Sequence, residues 1–255
     1  MILAIDLGNT NLAIGLCKGA DVSEHFRIAT DRSKTSDDYW VTLSALLPSS
    51  FEPEGIVLSS VVPDVEKQIQ GMCVNRLGME PYLIQPAEMD LLPLAIDEPR
   101  EVGADRVVNC YAASRLYGRP AVVIDFGTAT TFDVLSENGA YAGGLILPGP
   151  RVAMEALVSH TALLPRIEFR RPDSIIGRNT RAAMTAGIYY GLIAQIEGIV
   201  ERLREEFPDG IQIIATGGLG KTIAQECPFI DRIEPLLTLK GLGLIFEDFF
   251  QDSES

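Results

Sequence analysis

The sequence predicts an α/β protein of two lobes built by duplication, and three observations carry that prediction. First, an apolar run at 2–5 ends in Asp6-Leu7-Gly8-Asn9-Thr10-Asn11 and returns to apolar residues at 12–16. That is the pattern of a β-hairpin whose tight turn carries Asp, Gly, Asn and Thr. Second, the arrangement recurs at 121–135, where Ala121-Val122-Val123-Ile124 leads into Asp125-Phe126-Gly127-Thr128-Ala129-Thr130 and on to Phe132-Asp133-Val134-Leu135. Asp6 aligns with Asp125 and Gly8 with Gly127, and a repeated unit is far more specific than either copy alone. Third, helical and strand-like segments alternate around both copies, as in layered α/β folds. The repeat divides the chain into an N-terminal lobe, 1–115, and a C-terminal lobe, 116–255.

Each turn has a chemistry that suits phosphate. Glycine lets a backbone approach closely, while hydroxyl and amide groups hydrogen-bond phosphate oxygens. An aspartate beside them can hold Mg²⁺ directly or through water. One such turn reads as an ordinary Asn/Asp/Gly turn. Two of them, facing each other across a cleft, can hold a polyphosphate from both sides.

In chain order, residues 22–29 read as a third strand and 36–47 as a helix that stops before Pro48. Trp40, Leu43, Leu46 and Leu47 fall on one face of that helix, so the single tryptophan reads as core. Residues 55–62 form a strand, and Pro63-Asp64 opens a helix to about Leu77. Ser59 and Ser60 close that strand and read as a strand-end turn more readily than as a cleft lining. A helix follows at 107–117, preceded by Glu101-Val102-Gly103-Ala104-Asp105-Arg106. An Asp-Arg pair there is either a helix cap with a surface cation or a base beside an anion clamp.

In the second lobe, residues 141–147 are strand-like, and Pro148-Gly149-Pro150 marks a close-approach loop before another helix. Residues 161–178 hold Arg166, Arg170, Arg171 and Arg178 and read as a solvated loop. From Asn179-Thr180 a long helical pattern reaches Phe207. Gly187, Gly191 and Gly198 recur along it and allow a partner helix to pack closely, including one from a second subunit. Residues 211–215 form a short strand ending in Thr216-Gly217-Gly218. Gly220-Lys221-Thr222 resembles the end of a P-loop, but Ala215 stands where the motif needs its first glycine. A Gly-Gly turn that packs against an adenine ring or ribose is the better account. An amphipathic helix closes the chain near Phe250, and 251–255 is expected to fray.

Composition limits the function classes. The 255 residues are 47% hydrophobic and 22% charged, as expected of a globular protein. A formal net charge of −14 argues against a nucleic-acid partner. Met1 leads straight into strand-like residues, which does not read as a signal peptide. No apolar run approaches the roughly 20 residues of a membrane span. Cys17, Cys73, Cys110 and Cys227 are scattered and read as free thiols of a cytosolic protein. His25 and His160 match no triad or metal spacing.

The four blocks 6–11, 103–106, 125–130 and Leu237-Thr238-Leu239-Lys240-Gly241-Leu242, in this order, resemble the type III pantothenate kinases over essentially the whole chain. The resemblance implies a duplicated ribonuclease-H-like (actin-like ATPase) fold with an ATP cleft between two lobes. It also implies a cytoplasmic homodimer that phosphorylates pantothenate, the first step of coenzyme A synthesis, with no membrane or nucleic-acid partner. On this basis Asp6, Leu7, Gly8, Asn9, Thr10, Asn11, Leu12 and Ala13 form the first phosphate loop, with Asp6 near Mg²⁺, and Thr128 contacts ATP. Asp125 lies at a monovalent-cation site for K⁺ or NH₄⁺. Gly103, Ala104, Asp105 and Arg106 bind pantothenate, with Asp105 as proton acceptor. Thr180 resembles a threonine that reaches the substrate across the dimer interface. The chain departs from several relatives at Ile96, where they have a tyrosine. Two other readings remain open: a kinase for another small hydroxylated substrate, and an accessory or regulatory relative without turnover.

Overall fold

The computed structural model describes residues 1–161 and 163–251, so the expected fraying of 252–255 lies outside the described residues. The chain divides into two units. The first begins with β1 (Ile2–Leu7), β2 (Asn11–Lys18) and β3 (Asp21–Ala29), an antiparallel trio as the turn chemistry predicts. Helix α1 (Ser36–Ser44) follows, held by a reciprocal cap in which Thr35 accepts from the Asp38 amide and Asp38 accepts from the Thr35 amide. It ends earlier than the predicted Leu47, because the Leu46 and Leu47 amides both turn back to the Leu43 carbonyl. Tyr39 and Leu43 supply its buried face, while Trp40 packs only at the margin of the core. Strand β4 (Ile56–Ser60) pairs parallel with β1, and after α2 (Pro63–Met72) the short β5 (Tyr82–Leu83) pairs parallel with β4. The sheet order is β3-β2-β1-β4-β5. Leu3, Ile5 and Leu7 of β1 meet Ile56 and Leu58 of β4 under α1 and α2 in one apolar core.

The helix α3 (Ala104–Tyr117) precedes β6 (Ala121–Phe126) and β7 (Ala129–Leu135), which open the second unit. Strand β8 (Tyr141–Pro148), α4 (Pro150–Ser159), α5 (Thr180–Glu206), β9 (Gln212–Thr216), the short α6 (Gly220–Ala224) and β10 (Arg232–Ile233) follow. The second sheet runs β10-β9-β6-β7-β8. Strand β6 is antiparallel to β7 and parallel to β9, and β10 is parallel to β9. From its other edge, this sheet repeats the strand order of the first. The duplication thus extends from two turns to two whole sheets, each with its own core.

Two features depart from the sequence reading. The chain returns to the first unit twice, at Gly139–Ala142 and from Leu236 onward, so a single cut near residue 116 does not describe it. The last return is α7 (Leu237–Phe249), whose Leu237, Leu239, Leu242 and Ile245 are buried. It comes close enough to α3 that a methyl group on Gly241 would stand 2.7 Å from Val108 Cγ1 and 3.2 Å from Ala112 Cβ. Gly241→Ala is expected to cost about 1–3 kcal/mol, the usual range for overpacking, read as a lower urea midpoint.

The second departure concerns α5. Among the described residues it is, by length and composition, long and apolar enough to cross a membrane. Its Leu192, Ile196 and Val200 instead belong to the core of the second unit. All four cysteines are free and buried, and burial pushes the Cys17 and Cys73 thiols up to about 12.

Candidate active site

The first turn sits at the open end of β1. Asp6 is the penultimate residue of that strand, in register with Ala13 on β2 and Ser59 on β4. The Gly8 amide donates to the Asn11 carbonyl at 3.0 Å and closes the turn. Thr30 braces it from β3's end, donating from Oγ1 to the Gly8 carbonyl at 2.7 Å and from its amide to the Thr10 carbonyl at 3.0 Å. Gly8, Asn9, Thr10 and Asn11 remain accessible, whereas Leu7 and Leu12 turn into the core. Of the eight residues expected to form a phosphate loop, those two can therefore offer only backbone.

The second turn repeats this with one residue fewer. Asp125 is again penultimate in its strand, in register with Thr131 on β7 and Thr216 on β9. The Gly127 amide donates to the Ala129 carbonyl at 3.1 Å, and Gly127 and Thr128 are exposed. The Gly149 amide donates to the Thr128 carbonyl at 3.1 Å, and no side chain would fit at 149 against the Gly127 and Thr128 carbonyls. Gly217 has φ +85°, a conformation suited to glycine, and any side chain there would run into the Asp125 carboxylate.

The third block starts α3 three residues earlier than predicted. Gly103 is the N-cap without a side-chain cap, which puts Asp105 inside the first helical turn. Asp105 Oδ1 accepts from the Arg106 amide at 2.9 Å. A Cβ on Gly103 would stand 2.6 Å from that oxygen, so a glycine here leaves room for the carboxylate. Protein atoms packed around Asp105 desolvate it and push its carboxyl above the ordinary range; the Arg106 amide and guanidinium pull it partly back. Arg106 rests over the ring of Tyr141, 5.8 Å from its centroid.

Thr180 lies in the second unit at the start of α5, behind the N-cap Asn179, whose side chain accepts from the Ala182 amide at 2.9 Å. It lines an open hollow of about 660 Å³ together with Arg178, Met184 and Gly187. That hollow holds none of the turn residues. The arginine loop is exposed, with Arg171 paired to Glu226 at 3.1 Å. No group of three or more His, Cys, Asp or Glu able to hold a metal occurs among the described residues. Single carboxylates such as Asp6 still suit Mg²⁺, which usually takes one or two protein carboxylates and fills its shell with phosphate and water.

The model for the type III pantothenate kinase family matches residues 2–202. The chain belongs to that family. A type III pantothenate kinase of Moorella thermoacetica is 47% identical over 97% of this chain and 99% of its own length. Kinases of this family transfer phosphate to pantothenate, and the blocks 6–11, 103–106 and 125–130 fall within the residues that the family model matches. Among solved structures, a conserved candidate Baf family transcriptional activator from Campylobacter jejuni is similar, with a TM-score of 0.63 at 20% identity over 97% of this chain and 98% of that one. A candidate 2-dehydro-3-deoxygalactonokinase from Sinorhizobium meliloti gives a TM-score of 0.58 at 14% identity over 100% and 99%. Both likenesses concern the fold alone.

Sequence reasoning passed over one residue of this region. Ser59, read as part of a strand-end turn, is fully buried beside Asp6 in the register of the sheet. Its only signal in the sequence was a polar residue at the end of an otherwise apolar strand.

Proposed function

We propose that this kinase moves the γ-phosphoryl group of ATP to the primary hydroxyl of pantothenate, with Asp105 as the proton acceptor. The observation that carries the assignment is the environment of Asp105. It is a desolvated carboxylate whose affinity for a proton is raised, on the first turn of a helix, with a glycine leaving it room. A base works best when its pKa lies near the working pH, so a raised carboxyl is better placed than an ordinary one. As the hydroxyl oxygen attacks in line, its proton passes to Asp105 and ADP leaves with the β–γ bridging oxygen.

Arg106 offers a bidentate donor to the substrate's polar end, with Gly103 and Ala104 lining the same place. The accessible amides and hydroxyls at 8–11, the backbone through Ala13, and Thr128 hold phosphate. Asp6 would hold Mg²⁺, which would supply charge neutralisation to the triphosphate. Asp125 serves the K⁺ or NH₄⁺ ion. Phosphorylation of pantothenate with Mg²⁺ present, measured in K⁺ buffer and in Na⁺ buffer, tests the whole reading. Turnover only in K⁺ is expected; ATP consumption that ignores pantothenate would overturn the substrate assignment.

The enzyme acts as a cytoplasmic homodimer in this reading, with α5 at the interface and Thr180 reaching the partner's substrate. In support, Ala183, Gly187, Gly191 and Ala194 form an exposed small-residue stripe, and a methyl group on Gly187 or Gly191 would touch nothing. Ile146, Leu163, Ile175 and Ile176 add exposed apolar surface to the same unit. Gly191→Trp is expected to halve the mass seen in sedimentation; an unchanged dimer would exclude this face of α5.

A further inference from the structure

Each sheet holds one feature that the assignments above do not use. Strands β1 and β4 are parallel, with Asp6 opposite Ser59. Register partners on neighbouring strands, roughly 5 Å apart, project to the same face. Ile5, Leu7 and Leu58 turn to the core under α1 and α2, so Asp6 and Ser59 share the opposite face. Ser59 has no accessible surface, and its Oγ has no hydrogen-bond partner among the described residues. Leaving a buried hydroxyl unmatched destabilises the fold, so an alanine would serve a purely structural position better. Its neighbour Ser60, by contrast, is used, accepting from the Val62 amide at 3.2 Å.

The duplication supplies the second observation. In the other sheet, β6 and β9 are parallel, and Asp125 stands opposite Thr216, which is also buried. The three residues before each of these two are apolar in both copies: Ile56-Val57-Leu58 and Ile213-Ile214-Ala215. On the parallel neighbour strand, both sheets therefore change from apolar to hydroxyl at the position in register with the aspartate.

We infer that Ser59 is a positioning residue for Asp6, its hydroxyl donating to the carboxylate and steadying it in the orientation that meets Mg²⁺. A change of χ1 is all that a serine at this register position needs to bring its donor toward the neighbouring strand. Outer partners of this kind fix a ligand's direction and typically change metal affinity 10- to 100-fold when removed. The inference rests on the assignment of Asp6 to the metal, and the test separates the two.

Mn²⁺ binding in the presence of ADP, followed by electron paramagnetic resonance, reads the metal without turnover. Ser59→Ala is expected to weaken Mn²⁺ about 10-fold while the melting temperature holds or rises, and Ser59→Thr, which copies Thr216, is expected to restore binding. Asp6→Asn is expected to weaken Mn²⁺ as well. If Asp6→Asn binds as the unmodified protein does, the metal assignment itself is wrong. If Asp6→Asn weakens binding and Ser59→Ala does not, the serine is only a buried hydroxyl and the inference falls. Equal loss in Ser59→Ala and Ser59→Thr would assign the effect to packing and overturn it too.

Discussion

Asp105→Asn is expected to cut turnover by about 10²-fold or more, the usual scale for a positioned base, while raising the melting temperature at neutral pH. Both effects have one origin. Desolvation raises the Asp105 carboxyl, so the folded protein holds this proton more tightly than the unfolded chain does. The linked stability is fully present below the unfolded carboxyl value of about 3.9 and is lost as pH rises through the raised folded value. At neutral pH the ionised carboxylate is therefore a cost to the fold, and an uncharged amide removes it. Asparagine keeps the oxygen that accepts from the Arg106 amide, so the helix start is conserved.

The same displacement sets the acid limb of the rate profile. kcat/KM should fall as Asp105 is protonated, at a pH above that of an ordinary carboxylate, and the limb should vanish in the variant. Turnover measured beside a melting curve decides the matter. A variant that kept its turnover would end the assignment of Asp105 as base. One that lost turnover and also melted earlier would mean that the carboxylate holds the site together instead. The opposite signs expected here are those of a residue kept for chemistry at the expense of stability.

The sequence made the duplication legible because the repeated block is local. Asp-x-Gly followed by small polar residues specifies a turn at the end of a buried strand, and both copies adopt it through one bond from the glycine amide to the first residue of the next strand. Long-range facts were not available in that way. Gly241 and Gly243 announce close packing but not the partner, and only the structure shows Gly241 against Val108 and Gly243 against the Gly19 carbonyl, drawing α7 back to the first unit.

Boundaries failed where backbone replaced side chain. The start of α3 has no side-chain cap to read, so the predicted helix began at Val107 and left Asp105 outside it. Ser59 was illegible for another reason. A serine at a strand end is ordinary, and the meaning of Ser59 lies in a register that pairs it with a residue 53 positions earlier. The comparison with Thr216 gives that register its weight, and it required both sheets.

Asp125→Ala is expected to abolish the response to K⁺ and to lower turnover by about 10²-fold, the loss typical when one preorganised electrostatic group is removed. Asp125 and Asp6 occupy equivalent places, so their variants should differ in kind if the copies have diverged in function. Asp6→Asn should weaken the divalent metal and leave the K⁺ titration midpoint in place. Asp125→Ala should do the reverse, with Mn²⁺ affinity retained and activity equal in K⁺ and Na⁺ buffers. The structure gives a reason for divergence. Beside Asp125 the Gly217 turn closes against the carboxylate, and the neighbouring turn is one residue shorter than that beside Asp6. A protein carboxylate hemmed in by backbone suits an ion that needs little hydration, whereas Mg²⁺ keeps several waters and needs the more open turn. An unchanged K⁺ titration in Asp125→Ala would remove the cation role. Loss of both ion responses in either variant would mean that the two aspartates have not diverged in function.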